Sequence, residues 1–184
     1  MMMSSRQFIP IAVFTGVLGA TVQVIDIIVH SWIPPDGNTG MAWIAFLAWA
    51  TYFMSGGTAR GGVKAFIGMT IGCLLALGIL GLSGFIDFLG MWSGPVAIAC
   101  LVPLTIMLER GPDISSAVAP VFIGAGAYFG LLGSYANAPR THLLAGVLLY
   151  AVLGLVFGWM TVFGRKWYTD WIDDRVDSSA PATP

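Results

Sequence analysis

Charge is what this chain has least of. Of its 184 residues only 9% are Asp, Glu, Lys or Arg, against 57% that are hydrophobic, and the mean hydropathy is +0.85. A soluble domain carries about 25% charged residues, so this inventory cannot clothe a water-facing surface and the chain reads as an integral membrane protein in contact with a lipid bilayer. The net charge of -1 leaves no basic stripe to neutralise phosphates, which excludes a nucleic-acid partner. Cysteine is nearly as scarce. Cys73 and Cys100 lie in separate apolar runs without ligand-like spacing, so neither a disulfide nor a metal site is expected, and both read as small core residues. There is no Ser/His/Asp or Cys/His set, no Gly-rich phosphate loop and no cluster of metal ligands. No catalytic residue, metal or cofactor is therefore expected, and an enzyme is not.

What is present is a series of apolar runs. The first starts at Phe8, is too long for a signal peptide, and is read as a retained span. The full pattern predicts an all-α polytopic membrane protein: a short N-terminus (1–7), six transmembrane helices within 8–163, at about 8–29, 41–57, 63–85, 91–108, 114–133 and 142–163, and a tail (164–184) with an interfacial helix and a disordered end. The second run is the anomaly. Met41–Met54 alone makes roughly 21 Å of helix at ~1.5 Å per residue, too short to cross unless the helix continues through Gly56-Gly57. Ser115 and Ser116 are placed to cap the fifth helix. In the fourth, Pro103 frees a backbone carbonyl, for which Thr105 is a candidate partner. Gly68-x-x-x-Gly72 and Gly154-x-x-x-Gly158 are close-packing faces, through which a homo-oligomer is expected.

Two acid-base residues stand out in the first span. Asp26 and His30 share a helical face one turn apart. Asp26 lies 18 residues beyond Phe8, roughly 27 Å along the axis at ~1.5 Å per residue, near the far interface of a ~30 Å core. The pair reads either as polar helix-end groups at headgroup level or as an outer-mouth pair that filters solutes or senses pH. Basic residues set the orientation. With the N-terminus inside, Arg6, Arg60, Lys64, Arg110, Arg165, Lys166 and Arg175 fall on the cytoplasmic side and only Arg140 outside, which places both termini in the cytoplasm.

The two halves echo one another weakly. A shift of 76 superposes Phe46, Tyr52, Phe53 and Gly57 on Phe122, Tyr128, Phe129 and Gly133, and a shift of 78 pairs Gly68 with Gly146 and Leu75 with Leu153. Three spans per unit would make the second unit inverted across the membrane, a 3+3 inverted repeat of the kind common in transporters. The second and fifth spans are then the matched, aromatic, Gly-interrupted pair.

The run Trp43-x-x-Phe46-Leu47-x-Trp49-Ala50-Thr51-Tyr52-Phe53-x-x-Gly56-Gly57, followed by Gly61-Gly62-x-Lys64, resembles the bacterial inner-membrane family filed as domain of unknown function 1097. The resemblance extends loosely from Phe8 to Trp159. It implies a small multi-span protein of the bacterial inner membrane and carries over no catalytic residue; the tail from Arg165 looks like an addition to the family pattern.

Two functions fit. One is a channel or facilitator for a small neutral or weakly charged solute, with Trp49, Tyr52, Phe53, Tyr128 and Phe129 lining the pathway and backbone groups freed around Gly56, Gly57, Gly124 and Gly126 supplying hydrogen bonds. For the tyrosines, packing with a satisfied hydroxyl is the competing reading. The other is a structural or accessory subunit that binds a partner membrane protein through its glycine faces and the Trp167/Trp171 tail.

Overall fold

The computed structural model describes residues 5–113 and 117–179, and every regular element among them is a helix. Six α-helices follow in order: α1 (Ser5–Val29), α2 (Ala42–Met54), α3 (Ala59–Phe85), α4 (Ser93–Ile106), α5 (Val118–Ser134) and α6 (Arg140–Ser179). Short 3-10 turns extend α1 over His30–Trp32 and flank α4 over Asp87–Trp92 and Met107–Arg110. Four stretches are long and apolar enough to cross a membrane: Phe8–Trp32, Ala59–Phe85, Asp87–Arg110 and Arg140–Arg175. The chain is an all-α integral membrane protein.

The second and fifth helices fall short. α2 has 13 residues and α5 has 17, or roughly 20 and 26 Å of helix against a hydrocarbon core of ~30 Å. α2 does not continue through the glycines. The Gly57 amide donates to Tyr52 O and the Gly56 amide to Phe53 O, both at 3.0 Å, with Gly56 at φ 91°. That nested pair is a Schellman cap, which needs a left-handed residue where only Gly sits without strain. A new helix, α3, then starts at Ala59, earlier than the expected Val63, because the Thr58 hydroxyl accepts from the Gly61 amide at 3.0 Å and caps it.

Other boundaries also move. α5 begins at Val118; the expected caps Ser115 and Ser116 lie outside the described residues. Thr105 donates to Val102 O at 2.7 Å, not to the Ala99 carbonyl that Pro103 leaves open. α6 runs unbroken to Ser179, so the expected separate interfacial helix is its last four turns. No proline interrupts it, Tyr168 stacks on Trp171 and the Arg175 guanidinium lies 4.0 Å over the Trp171 ring, pairings at helical spacing. Residues 180–184, the end of the expected disordered segment, lie outside the described residues.

α2, α3, α5 and α6 form the centre of the bundle, through two dominant interfaces, α3 with α5 and α2 with α6. α1 lies against α6 and α4 against α3, and both turn apolar side chains outward: Val13, Val17, Val24 and Ile27 on α1, Ile98 and Leu104 on α4. In water such faces would be a liability; against lipid tails they are the ordinary surface. The dominant interfaces are close because of glycine. A Cβ at Gly72 would sit 2.0 Å from Val121 O, one at Gly154 2.0 Å from Ala45 O, and one at Gly158 2.8 Å from Tyr52. Gly68 meets Pro120 in the same way. Both small-residue faces are thus occupied within the chain, where helix packing in lipid needs them, and are not free to join two copies.

Candidate functional site

The aromatic residues expected along a pathway do not converge on one cavity. Tyr52 is buried and wedged at its ring between Gly62 of α3 and Gly158 of α6, in a cluster with Ala48, Met69 and Ala151. Tyr128 is fully buried in the larger core cluster, and its hydroxyl donates to Arg140 O at 3.3 Å. Phe129 packs half-buried against that cluster. Phe53 is 46% exposed and lines a cleft between α1 and α6. Trp49 is buried, stacked on Phe46 and tilted against Phe157, each at 6.0 Å between ring centroids. Its indole Nε1 is buried and, among the described residues, has no hydrogen-bond partner.

The glycines expected to free backbone groups do not do so. Gly56 and Gly57 cap α2 and spend their amides on it. α5 is continuous through Gly124 and Gly126, which point to opposite sides: a Cβ at Gly124 would meet Met69 O at 2.1 Å, while Gly126 faces open space. Their carbonyls and amides belong to the helix ladder.

Asp26 is the larger correction. It is neither at a mouth nor paired with His30. Its carboxylate is 3% exposed, and its Oδ1 accepts from the Met41 amide at 3.1 Å and from the Tyr150 hydroxyl. His30 Nδ1 instead meets Asn38 O at 2.7 Å. The cause is the loop between α1 and α2, which folds back into the bundle and buries Pro35, Asn38 and Met41. Asn38 shapes it, donating to Ile33 O at 3.1 Å and accepting from the Gly40 amide at 2.8 Å. Gly40 has φ 118° and a Cβ there would lie 2.6 Å from Asp26 Oδ2, so both the backbone conformation and the approach require glycine. The loop is buried only in part: Asp36, Gly37 and Thr39 remain exposed.

The result is a carboxylate set against the first turn of a short helix inside the bundle. With it, the Met41 amide and the Tyr150 hydroxyl complete a three-element junction of α1, α2 and α6. Tyr150 was not singled out by sequence reasoning. The signal available was general: a tyrosine amid an apolar span needs an acceptor, and Asp26 is an acid within reach of the membrane domain. Among the described residues no group of three or more His, Cys, Asp or Glu sits together as a metal site.

The two ends of the bundle differ chemically. At one, Asp113 bridges Lys64 and Arg60, the latter at 2.8 Å, tying the α4–α5 connection to the start of α3. The Lys64 hydrogen bond, with the charges of Lys64 and Arg60, holds the Asp113 carboxyl below the usual carboxylate range. At the other end the Thr39 amide donates to the Tyr135 hydroxyl at 3.0 Å, joining the α1–α2 loop to the end of α5.

No curated protein and no solved structure matches this chain. A family model described as a protein of unknown function (DUF1097) matches residues 9–166, which takes in all six helices up to the second residue of the α6 extension. The chain belongs to the DUF1097 family.

Proposed function

We propose that the chain is a facilitator that moves a small neutral or weakly charged solute across a bacterial inner membrane, by rearranging two three-helix units rather than through a standing pore. The observation that supports this is the pattern of helix contacts. Exchanging α1, α2, α3 with α4, α5, α6 turns each interface into another of the same set: α2–α6 into α5–α3, α1–α6 into α4–α3, α2–α3 into α5–α6 and α1–α2 into α4–α5, while α3–α6 and α2–α5 map onto themselves. The close contacts follow: Ala45 O against Gly154 corresponds to Val121 O against Gly72. Ala45 and Val121 stand 76 positions apart, the shift that superposes Tyr52 on Tyr128. Gly72 and Gly154 stand 82 apart, one helical turn from the shift of 78 that the sequence suggested.

Three crossings per unit make the second unit inverted, and inverted repeats put the solute site at the interface of the units, beside short or broken helices. α2 and α5 hold those equivalent positions, and the reading counts each of them as a crossing alongside the four longer spans. The basic residues gather at the end that holds Arg60, Lys64 and Arg165, so that end faces the cytoplasm with both termini. No bond-making step is assigned to any residue. Of the five aromatic candidates, Trp49 is assigned to the solute, because a buried donor without a partner costs about 1–3 kcal/mol and a passing carbonyl oxygen would satisfy it.

The test is reconstitution. Liposomes containing the pure protein are expected to reswell faster than empty ones in stopped-flow light scattering with at least one of urea, acetamide, glycerol and formamide, and Trp49→Phe is expected to slow that phase. Traces equal to empty liposomes for all four, from folded protein, would contradict the reading. The alternative is an accessory subunit. It is favoured by the α6 extension, where Trp167 is 64% and Trp171 41% exposed, and a stoichiometric foreign partner on purification would support it.

A further inference from the structure

A sizeable cleft lies away from the aromatic candidates Trp49 and Tyr128, at the end of the bundle that carries the basic residues. It is a partly open cleft of about 550 Å³ between the first half of α1, the end of α2 and α6. That volume is in the range of ligand pockets, about 300–1,000 Å³. Its walls are Ile11, Phe53 and Val162, with room added by Gly16, where a Cβ would meet nothing within 4 Å. Two threonines also line it, but both hydroxyls are spent: Thr15 donates to Ile11 O at 2.9 Å and Thr161 to Phe157 O at 2.8 Å. They present methyl groups to the cleft.

Among the described lining residues one polar group is left. Arg165 stands exposed at the rim, and among the described residues no carboxylate lies within ion-pair distance of it. A second, smaller cleft across the α1–α6 seam, where Phe14 sits on Gly164, also ends at Arg165 and is lined by Trp167 and Tyr168, amphipathic rings of the kind found at headgroup level. An open apolar slot with a guanidinium at its rim that meets no carboxylate among the described residues matches an amphiphile with a hydrocarbon chain and an anionic head.

We infer that the α1/α2/α6 cleft is a binding site for an anionic phospholipid, its acyl chain against Ile11, Gly16 and Phe53 and its phosphate on Arg165. Guanidinium pairs with phosphate through two parallel hydrogen bonds, and basic pockets between membrane helices on the cytoplasmic side take lipid headgroups in this way. The lipid would hold α1 against α6, and so act on the contact between the two units without touching Trp49.

The experiment is thermal unfolding of the full chain in mild detergent with added phosphatidylglycerol, phosphatidylcholine of the same acyl chains, or inorganic phosphate. The expected result is a larger upward shift with phosphatidylglycerol than with phosphatidylcholine, and none with phosphate. Arg165→Ala, at an exposed position, should lose the excess shift; Lys166→Ala should keep it; Gly16→Leu, which fills the slot, should lose it with Arg165 intact. Should Gly16→Leu lower the unfolding temperature without lipid, Ala12→Leu on the same wall serves instead. Equal shifts from the two lipids, retention of the excess in Arg165→Ala, or a matching shift from phosphate alone would overturn the site.

Discussion

Gly154 and Gly126 are both helical glycines, and alanine at the two should act in opposite directions. At Gly154 the new methyl meets the Ala45 carbonyl oxygen, backbone that cannot step aside, so Gly154→Ala should lower stability by at least the ~1–3 kcal/mol typical of overpacking. Gly126→Ala enters open space and removes a poor helix former, so it should be neutral or stabilising within about 1 kcal/mol. Unfolding in detergent reads both. The same logic limits Tyr52. With its ring against Gly62 and Gly158, Tyr52→Trp would disrupt packing before it could obstruct a pathway, so Trp49→Phe is the cleaner probe. The sequence marked all these glycines as small but not which were in contact, because a Gly at helical spacing looks the same facing a neighbour's carbonyl or facing lipid.

Asp26 and Tyr150 make a second residue-scale prediction. Asp26→Asn and Tyr150→Phe should each cost about 1–3 kcal/mol, as expected when a buried partner is left unmet. The double variant should lose less than the sum, with a coupling of about 0.5–3 kcal/mol. Additive losses in denaturant titrations would show that the two groups do not act through each other. Asp26 was legible as an unusual acid, but its place was not. Counting 1.5 Å per residue along α1 set it at an interface, and only the fold of the Ser31–Gly40 loop, which turns inward over Asn38 and Gly40, brings the start of α2 down onto it.

Among the elements, α2 is the one that the sequence described most nearly and still misjudged. Its shortness was plain from Met41–Met54, and Gly56-Gly57 was plainly a break; whether a glycine pair ends a helix or passes through it depends on hydrogen bonds such as Gly57 N to Tyr52 O. α6 erred the other way, since Arg165-Lys166 reads as a membrane boundary and boundary charges do not stop a helix. The α4–α5 connection gives a pH prediction. Asp113 has its carboxyl held down by Lys64 and Arg60, so its contribution is present above the ordinary carboxylate range and is lost as pH falls through the lowered value. The group is exposed, so the effect is small and screened by salt. Asp113→Asn should flatten the acid limb of the unfolding temperature against pH, and high salt should do the same to the native chain; an unchanged limb in the variant would mean that another carboxyl governs it.

At the scale of the molecule, hydropathy alone made the membrane class and the helical architecture legible, because a chain with 9% charged residues has no other stable surface. The proposed relation between the halves was far fainter in the sequence. Phe46, Tyr52 and Phe53 matched their counterparts at one shift, but the third and sixth helices share little beyond small residues, and their packing register differs by a turn from the one that Gly68 and Leu75 suggested. Under the proposed exchange of units, Gly72 and Gly154 need only be small, since each meets a neighbour's carbonyl oxygen.

The central claim is that two three-helix units lie in opposite orientations across the bilayer, and it rests on which side each turn emerges. The direct measurement is sidedness labelling with a membrane-impermeant maleimide, in a chain with Cys73 and Cys100 replaced by alanine. Ala59→Cys and Asn137→Cys are both at exposed positions, at the α2–α3 and α5–α6 turns, which the exchange of units makes equivalent. Intact cells should label Asn137→Cys at once and Ala59→Cys only after permeabilisation. Labelling of both from the same side would contradict the inverted arrangement, and with it the reading of this chain as a transport protein.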